Sequence, residues 1–200
     1  MKKIVLASKS VDRRDIFKHS GITFEVLVSN IDERELKKKF SNPISLVKEL
    51  AKAKALYAKE ELLKKNSQAI IIAADTIVEL NGKIIGKAQN KEEAFITLKK
   101  LIGRSHNLIT GLAITETNKP KIVIDYDSTS VEFLNLSDEE IRGYVKTDEW
   151  KGRAGAYSIN DKASLFISKI DGSSSNVTGF PMHKLFEILK NEFGMNLFLV

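Results

Sequence analysis

The sequence predicts an α/β fold in which a mixed β-sheet is flanked by helices. The run 69–74 is apolar at every position, which indicates a buried strand covered on both faces. Asn81-Gly82 is the strongest short signal for a hairpin, so antiparallel pairing is expected as well. Strands and helices interleave along the chain while hairpins are also present. This combination favours a mixed sheet over a purely parallel one.

The first half of the chain predicts three strands before the hairpin. Ser10 is placed to cap a helix that carries Val11, Ile16 and Phe17 on one side, and Gly21 is placed to end it. In order, the predicted elements are a strand at 4–7, the Ser10-capped helix, a strand at 23–28, a polar loop at 30–40, a long helix at about 45–65, a strand at 69–74 and a short strand at 77–80.

The second half continues the alternation. Asn90 with Glu92 and Glu93 resembles a helix cap with an acidic first turn, and Ser137 with Glu140 forms a capping-box pattern. In order, the predicted elements are a return strand at 83–85, a helix from Asn90 to Ile102 ended by Gly103, strands at 107–115 and 121–133, a helix from Ser137 to about Thr147, a strand at 165–170, a Gly/Ser loop at 171–175 and an amphipathic helix after Pro181.

Composition narrows the class of protein. With 200 residues, 42% hydrophobic and 29% charged, the chain suits one globular domain or one domain with two lobes. No apolar run could span a membrane, and Ser8, Lys9 and Asp12 interrupt any leader-like segment, so a soluble cytoplasmic protein is expected. The absence of cysteine excludes disulfides, thiol catalysis and zinc–thiolate sites. The net charge of +6 favours polyanions, but mixed-charge helices argue against stable nucleic-acid binding.

The first turn is a candidate anion site. Ser8 and Ser10 lie between a strand and a helix N-terminus, where backbone N–H groups and the helix dipole attract anions. Arg13 and Arg14 follow in the first helical turn, where cations oppose the dipole unless an anion is bound. Because the arginine fork matches phosphate oxygens, this pattern indicates a phosphate-bearing ligand. The simpler interpretation is a capped helix with two solvated arginines.

Asp75 and Lys87 are a second candidate pair. Asp75 is expected to end the apolar strand 69–74, where α/β folds place ligands, although a turn or cap would also explain it. A two-residue turn at 81–82 pairs Val78 with Ile85 and Thr76 with Lys87, which brings Asp75 close to Gly86 and Lys87. The glycine would permit a close approach. The alternative is an ordinary cross-strand ion pair that contributes little to stability.

Lys54 falls within the apolar stripe of the long helix, with Val47, Leu50 and Tyr57 at helical spacing. It either extends its stem along the core or reaches an anionic site.

In the predicted loop 30–40, Asp32-Glu33 could hold Mg²⁺ or Mn²⁺, although solvated acidic residues are the common case. His106 is expected just past a helix end, where a cation suits the dipole. Two carboxylate sites, several cations and Ser/Gly loops together favour phosphoryl chemistry.

These blocks, in this order and spacing, resemble the Maf family of nucleoside triphosphate pyrophosphatases, also called septum-formation proteins. The resemblance extends over nearly the whole chain, as one Maf-like domain at 1–200. It rests on Leu6-Ala7-Ser8-Lys9-Ser10-x-x-Arg13, Asp32-Glu33, Leu50-Ala51-x-x-Lys54-Ala55, Ala74-Asp75-Thr76, Gly86-Lys87, Gly103-Arg104-x-His106, Thr110-Gly111, Ala154-Gly155-Ala156-Tyr157-x-Ile159, Gly172-Ser173 and Asn176-Val177-x-Gly179-x-Pro181.

The resemblance implies an elongated mixed sheet like that of inosine-triphosphate pyrophosphatases, with a cleft between two lobes. It implies hydrolysis of a nucleoside triphosphate to the monophosphate and pyrophosphate with a divalent cation, Mg²⁺ or Mn²⁺, as cofactor. By position, Asp75 would be the proton acceptor and would bind the metal with Glu33. Arg13, Lys54 and Lys87 would hold the triphosphate, and the turn from Ser8 to Ser10 would cradle it. A homodimer and a link to cell-division arrest are also implied, and the alternative is a non-catalytic nucleotide-binding regulator of septum formation.

The chain departs from the family pattern where the base is selected. Members of the dTTP/UTP type resemble Ser-Pro-Arg-Arg at the first motif, whereas this chain has Val11-Asp12 in place of Pro-Arg. Thr76 matches that type, but Asn160 stands where those members carry Gln. Arg14 instead matches the 7-methyl-GTP type. Thr76 and Asn160 are therefore expected to bind the substrate without fixing the preferred base.

Overall fold

The structure, a computed structural model, describes residues 2–199 as strands alternating with helices. The strands are β1 Ile4–Leu6, β2 Glu25–Val26, β3 Ile70–Leu80, β4 Lys83–Ile85, β5 Ser105–Glu116, β6 Ile122–Phe133 and β7 Ile167–Asp171. The α-helices are α1 Val11–His19, α2 Glu33–Lys39, α3 Pro43–Lys64, α4 Lys91–Leu101, α5 Asp138–Val145, α6 Ser174–Val177 and α7 Met182–Phe193, and a 3₁₀ helix spans Lys162–Leu165.

The strands form one seven-stranded mixed sheet. Its order is β2-β1-β3-β5-β6-β7, and β4 pairs with β3 off this path. β1 is parallel to both β2 and β3, whereas β4 is antiparallel to β3 and β7 is antiparallel to β6. The predicted mixed α/β sheet flanked by helices is therefore confirmed.

The described residues fall into two compact units. The first contains the chain up to Asp75, the segment Thr110–Asp127 and the chain from Gly179 onward. The second contains Thr76–Ile109 and Ser128–Thr178. The single domain expected over residues 1–200 stays a prediction.

In the first unit, helices cover both faces of β1 and β3. Successive strand side chains point to opposite faces, so alternate residues enter different cores. One core joins strand residues Ile4, Leu6, Ile70, Ile72 and Ala74 to Phe17 of α1, Phe180, and Leu185, Ile188 and Leu189 of α7. The other joins Val5, Ala7, Ala69, Ile71 and Ala73 to Ala51, Ala55, Ala58 and Leu62 of α3. The small alanines let α3 lie close to the sheet.

The second unit has its own core, rich in aromatic side chains. Phe133 makes edge-to-face contacts with His106, Tyr157 and Phe166, at ring-centroid distances of 4.7, 4.8 and 5.0 Å. Helices α4 and α5 add Phe95, Leu98, Leu101, Ile141, Tyr144 and Val145 to this core.

Local sequence signals set most element boundaries. The side chains of Ser10, Asn90 and Ser137 cap α1, α4 and α5, and Ser137 forms the predicted capping box with Glu140. Asn81 and Gly82 have φ angles of 51° and 78°, as a type I′ hairpin turn requires. These predictions are confirmed.

The predicted loop at 30–40 is wrong, because α2 occupies Glu33–Lys39. Asp32 caps this helix by accepting a hydrogen bond from the Arg34 backbone N–H at 3.0 Å. Lysines fill its last turn, where they suit the dipole, and no residue of α2 is buried. A helix without a buried face lacks the apolar periodicity on which the sequence prediction depends.

The strand predicted at 23–28 is also too long. β2 is a two-residue edge strand paired with Val5 and Leu6, and Val26 and Val28 are exposed instead of forming a buried face. Val11 is likewise exposed, while Phe17 of the same helix is buried. These apolar residues lie at the surface because no element covers them among the residues that the structure describes.

The strands predicted at 69–74 and 77–80 are one strand, so Asp75 does not end a strand. It lies in the middle of β3, where a charged residue is tolerated because a lysine pairs with it. The strand predicted at 165–170 begins only at Ile167, since Leu165 closes the 3₁₀ helix. No helix within residues 2–199 is long and apolar enough to cross a membrane.

Candidate active site

The turn after β1 is organised by two serines, as predicted. Ser8 is buried, and its Oγ accepts a hydrogen bond from the Ser10 backbone N–H at 3.3 Å. The Ser10 Oγ accepts from the Arg13 backbone N–H at 3.4 Å and so caps α1. Both hydroxyls therefore shape the turn, and their expected contact with a triphosphate stays a prediction.

Arg13 lies inside the first unit, only 8% exposed. Its Nε donates to the Gly179 carbonyl at 2.7 Å, and its Nη1 donates to the Ala74 carbonyl at 2.9 Å and to the Ser8 Oγ at 3.2 Å. Burial lowers the pKa of Arg13, although the charges of Asp75, Asp12 and Glu33 oppose this shift. The guanidinium thus ties the serine turn to the backbone beside Asp75, and its expected role in holding phosphate stays a prediction.

Asp75 and Lys54 meet for a reason that the two periodicities explain. On β3, Ala69, Ile71 and Ala73 face α3, and Asp75 continues that alternation. On α3, Ala51, Ala55 and Ala58 face the sheet, and Lys54 lies one turn from Ala51 and Ala58. The Lys54 Nζ donates to Asp75 Oδ1, and the two side chains are only 12% and 14% exposed. Lys54 thus reaches an anionic side chain of the protein itself, and its expected contact with a triphosphate stays a prediction.

Glu33 completes the cluster from the start of α2. Its Oε1 lies 2.9 Å from Lys54 Nζ, and its Oε2 accepts from Lys37 Nζ at 2.8 Å. Partial burial would raise the pKa of Glu33, but the hydrogen bonds from Lys37 and Lys54 outweigh it and lower the pKa to about 2. Glu33 and Asp75 therefore converge on one ammonium group. Lys37 was not predicted as part of this site, although its i,i+4 spacing from Glu33 was a usable signal.

The donor set fits a hard divalent cation. Two carboxylates converge on one point that a cation, the Lys54 ammonium, already occupies. No group of three His, Cys, Asp or Glu side chains within residues 2–199 is placed to hold a metal. Mg²⁺ is commonly bound by one or two carboxylates, with water and substrate phosphates completing its octahedral shell. Glu33 and Asp75 match that pattern.

The remaining predicted site residues belong to the second unit. Thr76 follows Asp75 on β3, Lys87 lies two residues beyond the end of β4, and Asn160 precedes the 3₁₀ helix. The predicted pairing of Val78 with Ile85 is confirmed, and Lys87 forms an antiparallel bridge with Ala154. The expected roles of these three residues stay predictions.

Two motif residues have structural roles that the sequence did not reveal. His106 lies on β5, not past a helix end, and is 2% exposed. Its Nε2 is 2.9 Å from the Tyr157 Oη, and burial lowers its pKa to about 4, so it is neutral. A Cβ on Gly111 would lie 2.3 Å from the Val47 carbonyl oxygen, so this glycine lets α3 approach β5. A Cβ on Gly86 would meet no atom of residues 2–199 within 4 Å, so the close approach expected there is wrong.

Comparison with known proteins identifies the family. The model of the family described as "Maf-like protein" matches residues 3–192. The chain belongs to the Maf-like protein family. This match covers the residues on which the sequence resemblance rests and confirms it.

Curated relatives align with this Maf-like chain over nearly their whole length. A protein of Thermoanaerobacter sp. (strain X514) is 43% identical over 98% of this chain and 99% of its own length. One of Alkaliphilus oremlandii is 44% identical over 98% and 100%, and one of Clostridium tetani is 41% identical over 96% and 98%. Each is named dTTP/UTP pyrophosphatase.

A solved structure also matches, but distantly. The nucleoside-triphosphatase, a dITP/XTP pyrophosphatase, of Mycobacterium abscessus aligns with 67% of this chain and 75% of its own. Its TM-score is 0.38 at 10% identity, which is too low to support an argument about fold or function.

Proposed function

We propose that this Maf-like protein hydrolyses dTTP and UTP to the nucleoside monophosphate and pyrophosphate with the help of a divalent cation. The class of enzyme, a nucleoside triphosphate pyrophosphatase, is that of its full-length relatives. The observation that supports the chemistry is the convergence of Glu33 and Asp75 on Lys54. The two substrates are those in the relatives' names.

The reaction requires a water molecule to attack the α-phosphorus. The water oxygen bonds to that phosphorus, the bond from the α-phosphorus to the oxygen that bridges to the β-phosphorus breaks, and pyrophosphate leaves with the bonding electrons. Asp75 would accept the proton that the water loses. Lys54 occupies only one of the acceptor positions of this carboxylate, so others are available for water.

Glu33 and Asp75 would hold the divalent cation together. When bound, the cation would supply positive charge that neutralises phosphate oxygens and favours departure of pyrophosphate. Arg13 would support the site indirectly, because its hydrogen bond to the Ala74 carbonyl fixes the backbone next to Asp75. The low pKa of Glu33, about 2, keeps it ionised and able to bind metal at neutral pH.

The test is pyrophosphate release from dTTP, UTP, CTP, GTP, ITP and 7-methyl-GTP, with Mg²⁺ or Mn²⁺ and with a chelator. We expect release from dTTP and UTP only when metal is present, and a loss of at least about a hundredfold in Asp75→Asn. Asp125→Asn is the matched control, because Asp125 is also paired with a lysine, Lys184, at 2.7 Å. Release by Asp75→Asn at the wild-type rate would contradict the mechanism.

Nucleotide binding without release across the panel would instead favour the non-catalytic regulator. The link to cell-division arrest that the family resemblance implies is tested with the same variant. If the link depends on catalysis, overproduction of the wild type will arrest division and overproduction of Asp75→Asn will not.

A further inference from the structure

Lys54 is the residue on which both candidate metal ligands depend. Its ammonium group contacts Glu33 Oε1 at 2.9 Å and also Asp75 Oδ1, and its side chain is only 12% exposed. Two carboxylates that share one cation are held near each other against their mutual repulsion. The protein therefore places a lysine where the carboxylates present their combined negative charge.

The second oxygen of Glu33 is also paired. Lys37 contacts Glu33 Oε2 at 2.8 Å, so both oxygens of this carboxylate face ammonium groups. The charges of Glu33 and Asp75 are thus balanced by the charges of Lys37 and Lys54, and the Arg13 guanidinium also interacts with both carboxylates. A divalent cation that approaches these carboxylates meets oxygens already engaged by positive charge, and it is repelled by the ammonium groups.

We propose that Lys54 is an internal counter-ion that holds Glu33 and Asp75 together in the nucleotide-free protein and is displaced from them when a divalent cation binds. This inference rests on the metal site of the proposed function. Lys54 is then a positioning residue that weakens binding of metal alone. The displaced ammonium gains a new partner when a triphosphate is present, so metal and nucleotide binding reinforce each other.

The experiment measures Mn²⁺ binding to the nucleotide-free protein by electron paramagnetic resonance, which detects free Mn²⁺ without any turnover. We expect Lys54→Met to bind Mn²⁺ about tenfold more tightly than the wild type, because two carboxylates lose their nearest cation. Lys54→Gln, which keeps a hydrogen-bond donor but no charge, should show the same direction. Adding Glu33→Gln to Lys54→Met should abolish the gain.

Lys52→Met is the matched control. Lys52 lies two residues away on the same helix, is 39% exposed and pairs with Glu49 at 3.7 Å, so the substitution makes the same change in net charge outside the site. It should leave Mn²⁺ affinity within about twofold of the wild type. Circular dichroism shows which variants are folded.

Unchanged or weaker Mn²⁺ binding in folded Lys54→Met or Lys54→Gln would overturn the proposal, as would an absence of Mn²⁺ binding by the wild type and both variants. The coupling is tested by repeating the titration with inorganic tripolyphosphate, after correction for the Mn²⁺ that tripolyphosphate binds without protein. Tripolyphosphate should tighten Mn²⁺ binding more in the wild type than in Lys54→Met. Failure of the proposed function would be seen in a different measurement. In that case pyrophosphate release would be missing even though Lys54→Met binds Mn²⁺ more tightly than the wild type.

Discussion

Arg13 allows a sharp test, because the sequence and the structure give it different roles. A phosphate-binding arginine would extend toward the substrate and contribute little to folding. The structure instead buries Arg13, with its guanidinium donating to the carbonyl oxygens of Ala74 and Gly179 and to the Ser8 hydroxyl. The substitution Arg13→Met keeps a long apolar stem and removes these hydrogen bonds.

The expected loss of stability follows from those contacts. Each buried acceptor left without a partner costs about 1–3 kcal/mol, and two carbonyl groups lose their charged donor. The loss is offset in part because the variant no longer buries a guanidinium, whose desolvation is unfavourable. We therefore expect the free energy of unfolding to fall by about 3 kcal/mol.

Urea denaturation at neutral pH measures this loss. Arg14→Met is the control, since Arg14 is the adjacent residue and only half-buried, and it should change the free energy of unfolding by less than about 0.5 kcal/mol. Arg13→Lys should recover little, because an ammonium cannot reproduce the planar fork of the guanidinium. If Arg13→Met unfolds like the wild type and loses only nucleotide affinity, the structural role assigned to Arg13 is refuted.

Three further outcomes are expected. The pKa of Glu33 in the folded state, about 2, is below its ordinary value of 4.5. The contribution of Glu33 to stability is therefore full above pH 4.5 and is lost as the pH falls toward 2. In that interval, the free energy of unfolding of Glu33→Gln should fall less steeply than that of the wild type. His106 has a pKa of about 4 in the folded state, against an ordinary value of 6.5. As the pH falls, the unfolded chain binds this proton first, so the stability of the fold decreases from pH 6.5 toward pH 4. The free energy of unfolding, measured against pH, should decrease less in His106→Asn. Gly111→Ala should lower the unfolding free energy by at least about 2 kcal/mol because its Cβ meets the Val47 backbone, whereas Gly86→Ala should change it little, and equal effects in thermal melts would contradict this reasoning.

Local rules account for the parts of the fold that the sequence predicted well. The helix caps at Ser10, Asn90 and Ser137 act within three residues, and the Asn81-Gly82 turn fixes the register of its own strands. Such signals need no knowledge of distant contacts. They therefore follow from the sequence alone, without the order of the strands.

The predictions from the sequence are wrong where the burial of residues does not follow the pattern of apolar positions. The helix α2 buries no residue, so its start is encoded only by the Asp32 cap and by charges that suit the dipole. The reverse case is the edge strand β2, where Val26 alternates as if buried and yet is exposed. The simpler interpretation of Arg13 as a solvated residue is wrong for a related reason, because its carbonyl acceptors at Ala74 and Gly179 lie far away in the sequence.

The pairing of Lys54 with Asp75 follows from the alternation of side chains along β3 and from the helical spacing along α3. The alternation of β3 places Asp75 on the face that carries Ala73, and the helical spacing of α3 places Lys54 on the face that carries Ala51 and Ala55. A charged residue in each buried pattern is unfavourable alone, but opposite charges on facing elements offset part of that cost. Glu33 could not be placed in this way, because its helix packs no side chain into a core. Glu33 instead contacts Lys54 through an ion pair at 2.9 Å, so the charges of the candidate metal site also link the start of α2 to α3.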